Sequence, residues 1–248
     1  MSFAVSPEAY GRFMGRYAEP LAAVFTAFAG VGAGDEVLDV GCGPGALSAQ
    51  LLSVGARVAA VDPSPRFLDA LRTRFPDLDV RRGTAEELPY DTASFDAALA
   101  QLVVHFMADP MAGIRQMARV VRRGGVVAAC VWDGSTGALA PFWDAVHVTD
   151  PQAQDEALLA GARMGHLTGL FEAAGLRGVE ERPLAVEVVH PSFEQWWEPY
   201  TLGVGPAGDY VQQLDDEGRA HLESVARERL GAGPFTVTAT AWATRATV

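Results

Sequence analysis

The chain has 248 residues, 49% of them hydrophobic, with 26 glycines and 15 prolines, which excludes a disordered polymer and suits one large α/β domain. Its 19 basic and 31 acidic residues leave a net charge of −12, which works against nucleic acid or an anionic membrane surface as partner. No apolar run approaches the roughly 20 residues that span a bilayer, and the first residues lack a basic and an apolar signal region, so a cytoplasmic location is expected.

In chain order, an aromatic and basic lead segment ends in YGRFMGRY, Tyr10 to Tyr17. Strand and helix patterns then alternate. Glu36–Val40 reads as a strand, Pro44–Val54 as a helix, Arg57–Val61 as a strand and Pro65–Phe75 as a helix. Leu78–Arg82 and Phe95–Ala100 are strands, Pro110–Val121 is a helix, and a Gly-Gly turn leads into the strand Val126–Trp132. Near-continuous apolar strands separated by amphipathic helices indicate a parallel sheet covered on both faces. Residues 134–162 have mixed periodicity and read as an insertion. A helix then stops at Gly175, a suitable C-terminal cap, and Val179–Val189 alternates as a strand. Residues 191–232 are aromatic and partly helical, a cap over the C-terminal edge of the sheet. The last run, FTVTATAWATRATV, is rich in β-branched residues and, following a strand rather than another βα unit, is expected to run antiparallel. Two cysteines, Cys42 and Cys130, indicate no disulfide framework, and no metal ligand set is expected.

The chemistry concentrates in VLDVGCGPGALSAQL, Val37 to Leu51, where a strand enters a glycine turn that opens a helix. Such turns cradle phosphates on helix N-terminal N–H groups. Gly41-Cys42-Gly43-Pro44-Gly45-Ala46 also fits a dinucleotide-binding turn, with Asp62 about 20 residues on as a ribose acid. Two residues point elsewhere. Asp39 would repel a pyrophosphate but attract an ammonium group, and Pro44 removes one N–H that a phosphate would use. Both suit a nucleoside with a cationic amino-acid tail, a combination found in S-adenosylmethionine. A nicotinamide-dependent dehydrogenase is the alternative, and a catalytically silent binding protein is another.

Four segments in this order, VLDVGCGPG, VAAVDPSPRFLDAL, RRGTAEELPYDTASFDAALAQLVVHFMADP and MARVVRRGGVVAACVWD, resemble the successive motifs of the class I S-adenosylmethionine-dependent methyltransferases. The similarity is greatest to the small-molecule branch that includes ubiquinone- and menaquinone-type enzymes, and it covers residues 35–133 strongly and the flanks more loosely. It implies a Rossmann-like, mostly parallel seven-stranded sheet in a single domain. Residues 1–34 would be a helical cover, 35–133 the cofactor-binding core, 134–162 an insertion and 191–232 a cap.

The resemblance also implies roles. Asp39, Gly41, Gly43 and Gln101 would hold the methionine moiety, and Asp62 with Pro63 the ribose. Phe67, Thr84, Ala85 and Glu86 would surround the adenine, with Thr84 standing where relatives often carry aspartate. Arg16 would pair with the cofactor carboxylate and Tyr10, with Tyr17, would close the pocket. S-adenosyl-L-homocysteine would be the product. The other partner would be a small apolar or aromatic acceptor, met by Phe142, Trp143, Trp196, Trp197 and Tyr200; one of the adjacent tryptophans is expected to face a pocket. His105 is the first choice for a general base and His190 the second.

Overall fold

The computed structural model describes residues 5–248; residues 1–4 of the expected N-terminal cover, which also open the segment tested for a signal, lie outside the described residues. The chain begins with α1 (Pro7–Tyr10), a π-helical turn at Gly11–Gly15 and α2 (Arg16–Ala29). The alternating part follows as β1 (Glu36–Val40), α3 (Ala46–Ser53), β2 (Arg57–Asp62), α4 (Pro65–Arg74) and β3 (Asp79–Arg82). Next come β4 (Phe95–Gln101), a 3-10 turn at Val104–Phe106, α5 (Pro110–Val120) and β5 (Val121–Trp132). The remainder is α6 (Ala140–Thr149), α7 (His166–Ala173), β6 (Arg177–His190), α8 (Phe193–Trp197), a 3-10 turn at Glu198–Leu202, α9 (Gly205–Gln213), α10 (Asp216–Leu230) and β7 (Phe235–Thr247).

The seven strands form one sheet in the order β3-β2-β1-β4-β5-β7-β6. The first five are parallel, and β7 runs antiparallel between β5 and β6, as the late β-branched run suggested. The apolar strands are buried on both faces because their alternate residues enter two different cores. Val37, Leu99 and Cys130 join one with Tyr17, Leu21, Phe25 and Leu51. Leu38, Ala98 and Val131 join the other with Ile114, Met117 and Phe171. Each large side chain so buried contributes about 1.5–3 kcal/mol. α5 shows how local sequence feeds this packing: Asp109 accepts the Ala112 N–H at 3.0 Å, proline starts the helix, and Ile114, Met117 and Val120 form its buried face.

Several boundaries shift by one or two residues or more, and two of the shifts have a clear backbone cause. α3 starts at Ala46, not Pro44, because Gly45 sits at φ 95°, outside helical space. β5 starts at Val121, five residues early: the Gly-Gly turn is a bulge within the strand, with Phe95 opposite Val121 and Ala97 opposite Val126. Among the described residues no helix is long and apolar enough to cross a membrane.

Candidate active site

The chain passes from β1 outward to β2 and β3, then returns to β4 on the other side of β1. That reversal opens a crevice at the carboxyl ends of β1 and β4, where open α/β sheets bind ligands. Asp39 in β1 pairs in register with Leu99 of β4, so Asp39 and Gln101 reach the same edge. A small pocket there is lined by Tyr10, Ala18, Asp39, Gly41, Gly43 and Gln101, among others. Gly41 has φ 70°, and a Cβ on it would lie 2.5 Å from a Val103 methyl, so backbone conformation and close approach both require glycine.

Asp39 is buried and its Oδ2 accepts the Ser48 hydroxyl at 2.6 Å. Burial pushes its carboxyl up to about 7, against the Ser48 hydrogen bond and with a smaller contribution from Asp62. Gln101 donates from Nε2 to the Ala18 carbonyl at 2.9 Å, and its buried Oε1 has no hydrogen-bond partner. A buried carboxylate and an orphaned amide oxygen in one pocket call for a ligand that brings hydrogen-bond donors.

A larger cleft adjoins this pocket, with about 1320 Å3 of unfilled space. Its wall includes Tyr10, Gly41, Gly43, Pro63, Phe67, Thr84, Ala85, Glu86 and Gln101, so the structure brings these nine expected residues together. Glu86 also holds the entry to α5, its Oε1 accepting the N–H groups of Ala108 and Asp109 at 2.8 and 3.3 Å. Tyr10 packs on Phe67 with ring centroids 5.3 Å apart. Asp62 is not among the residues lining the cleft. It is buried, and its two oxygens accept the N–H groups of Gly43 at 2.9 Å and Ser64 at 2.8 Å. The carboxylate thus pins the glycine turn to the start of α4, a task the sequence reading did not give it.

Arg16 is a correction. Its guanidinium donates to the carbonyls of Gln195 at 3.0 Å and Trp196 at 3.2 Å, tying α2 to α8, and it lines neither the small pocket nor the cleft. The two side chains make separate contacts: Arg16 reaches His190, Gln195 and Trp196, whereas Tyr10 packs on Phe67 of α4. Tyr17, likewise, is fully buried with its hydroxyl 2.9 Å from His190 Nε2. His190 is thereby a packed residue whose ring burial pushes down to about 4, aided by Arg16, not a base beside the cleft.

A second cavity shares Tyr10, Leu102 and Phe106 with the cleft. Its wall is drawn from the π-helical turn (Phe13, Met14), the 3-10 turn (His105, Phe106), the end of β5, α6 (Trp143) and residues 156–162. His105 is half-buried, its ring centroid 3.8 Å from that of Phe106, and its Nδ1 has no partner. Burial pushes it down to about 3, so at pH 7 the ring is neutral, with one nitrogen donating and the other accepting. Of the expected acceptor residues only Trp143 lines this cavity. Phe142 and Tyr200 are stacked at 4.5 Å inside the core, and Trp196 and Trp197 are both buried. Both tryptophans fit because α8 is only five residues long and is enclosed on more than one side, by Phe235 and Tyr200 around Trp196 and by Phe142 and Phe193 around Trp197.

Two residues were missed. Leu102, at φ 61°, lines both pockets and the cleft in a backbone conformation that costs a branched residue about 1–3 kcal/mol. No sequence signal marks it. Glu156 places the second cavity's under-partnered carboxylate; its one hydrogen bond, from the Trp143 indole N–H, is long at 3.4 Å. Its neighbours in the sequence are unremarkable loop residues.

Residues 38–129 match the family model described as a methyltransferase domain. An uncharacterized methyltransferase of Mycobacterium tuberculosis is 44% identical over 97 residues, 39% of this chain and 39% of that protein. The ubiquinone biosynthesis O-methyltransferase of Methylocella silvestris is 38% identical over 100 residues, again 39% of each chain. The chain is thus aligned with well under half the length of these relatives. Among solved structures, phosphoethanolamine N-methyltransferase 2 of Haemonchus contortus in complex with S-adenosyl-L-methionine superposes with a TM-score of 0.58 at 16% identity, covering 97% of this chain and 56% of that one. That likeness is one of fold.

Proposed function

We propose, from the premise that residues 38–129 form a class I S-adenosylmethionine-dependent methyltransferase domain, that the protein methylates a small apolar or aromatic molecule. The observation that carries the reading is the pairing of buried Asp39 with the unpartnered Oε1 of Gln101 in one pocket. Both are acceptors, and an α-ammonium group supplies the donors they lack. The residues therefore fit the cofactor. When bound, S-adenosylmethionine supplies a methyl group already activated on a sulfonium.

Asp39 and Gln101 hold the ammonium, and the open space where a Cβ on Gly43 would point leaves room for the chain beside it. Asp62 and Pro63 serve the ribose, Asp62 using the acceptor capacity left on oxygens that already pin Gly43 and Ser64. Phe67, Thr84, Ala85 and Glu86 form the adenine wall. Tyr10, shared by the small pocket, the cleft and the second cavity, separates cofactor from acceptor and excludes water. Methyl transfer needs alignment above all, and two cavities meeting at Tyr10 and Leu102 supply it.

Thermal unfolding with added ligands tests the reading. S-adenosylmethionine and S-adenosylhomocysteine should raise the midpoint while NAD and NADP leave it unchanged. Stabilisation by NAD or NADP alone would overturn it in favour of a dehydrogenase.

A further inference from the structure

The second cavity has a polarity that selects its occupant. Its wall is mostly apolar and aromatic, as ligand sites usually are. Among the described residues lining it, the titratable groups are Tyr10, His105, Asp133 and Glu156. All 19 basic residues of the chain are arginines, and none is in this wall.

The two carboxylates are not equivalent. Asp133 is fully engaged: Oδ1 accepts the N–H groups of Ser135 and Thr136 and the Thr136 hydroxyl, and Oδ2 accepts the Trp242 indole N–H at 2.6 Å. Glu156 receives only the long Trp143 contact. His105 Nδ1 is buried with no partner. Glu156 is thus the carboxylate in this wall with acceptor capacity left over, and it favours an occupant that donates. An anionic occupant would lie beside a carboxylate with no cation to offset it, in surroundings of low polarity.

We propose that the methyl acceptor is a small aromatic molecule bearing an N–H or O–H group and no anionic group, and that Glu156 is the residue receiving that hydrogen. This rests on the methyltransferase reading of the adjoining cleft. As the acceptor's lone pair bonds to the methyl carbon, the carbon–sulfur bond breaks with its electron pair going to sulfur. The acceptor's proton passes to the Glu156 carboxylate, which releases it to water when product leaves. Burial, partly countered by the Trp143 hydrogen bond and assisted by neighbouring Asp155, pushes the Glu156 carboxyl up to about 7, where a group both takes and returns a proton at neutrality.

Calorimetry on the full chain saturated with S-adenosylhomocysteine tests this with four probes built on one ring: 2-phenylethylamine, 2-phenylethanol, ethylbenzene and 3-phenylpropionate. The amine and the alcohol should bind about tenfold or more tightly than the donor-free and anionic probes. Glu156→Leu should abolish that preference without changing affinity for S-adenosylhomocysteine. Glu156→Gln should keep the alcohol and weaken the amine. Equal binding of 3-phenylpropionate, a donor preference that survives Glu156→Leu, or failure of all four probes would overturn the assignment. If S-adenosylhomocysteine itself failed to bind the wild type, the cofactor reading would fall, and this inference with it.

Discussion

The cleft beside β1 and the cavity beside α6 meet at Tyr10 and Leu102, yet the chain builds them in opposite ways. The cleft and the small pocket beside it are made of strand ends: Asp39, Gly41, Gly43, Pro63, Thr84 and Gln101 each follow or lie near the end of a parallel strand, and the sheet's register brings them to one edge. The cavity is made of pieces far apart in the chain, from the π-helical turn near the start to the loop before α9. A site on strand ends is fixed by topology and tolerates little change. A site on helices and loops can be reshaped without disturbing the sheet, as different acceptors require.

The largest effect should come from Asp62→Ala. It orphans the buried N–H group of Gly43, at about 1–3 kcal/mol, and the part-buried one of Ser64 at less. Denaturant unfolding should show that loss, and calorimetry a collapse of S-adenosylhomocysteine affinity; the probe preference of the second cavity cannot then be measured. Asp39→Asn should separate binding from folding. Affinity should fall about ten- to a hundredfold, while the unfolding midpoint at pH 8 rises, because a buried carboxylate with a raised value destabilises the fold when ionised. A lowered midpoint would mean that Asp39 is structural.

Acidity provides the third test. Asp39 holds a proton in the ligand-free fold up to about pH 7, whereas the unfolded chain releases it near pH 4. The unfolded state therefore binds fewer protons across this window, and this group's contribution to stability falls as pH rises through it. Capture of an ammonium group needs the carboxylate, so affinity for S-adenosylhomocysteine should climb with pH up to about 7 and level off above. Calorimetry from pH 5.5 to 8.5 should show this climb in the wild type and not in Asp39→Asn. The smallest effect belongs to Arg16→Ala. It should lower the thermal midpoint by about 2–4 °C and leave cofactor affinity within about twofold, since its partners are α8 carbonyls.

Most of the cleft was legible because its residues are tied to local signals. A glycine that must adopt φ 70° and an acid ending an apolar strand both leave marks in the sequence. Arg16 left a misleading one: a guanidinium near a predicted pocket looks like a carboxylate partner until its bonds to the α8 carbonyls claim it. The tryptophan pair misled for a related reason, since a helical wheel assumes one buried face and α8 is enclosed on several.

By itself the sequence determined the alternation of strands and helices, the antiparallel last strand and the acidic glycine turn, because each follows from periodicity and turn chemistry within a few residues. Only the tertiary structure decided that Asp62 anchors the turn, that His105 stays neutral and that Glu156 is the cavity's under-partnered carboxylate. Burial and hydrogen-bond satisfaction depend on what other segments bring to a side chain, and those segments lie a hundred residues or more away in several cases, as Trp242 does from Asp133.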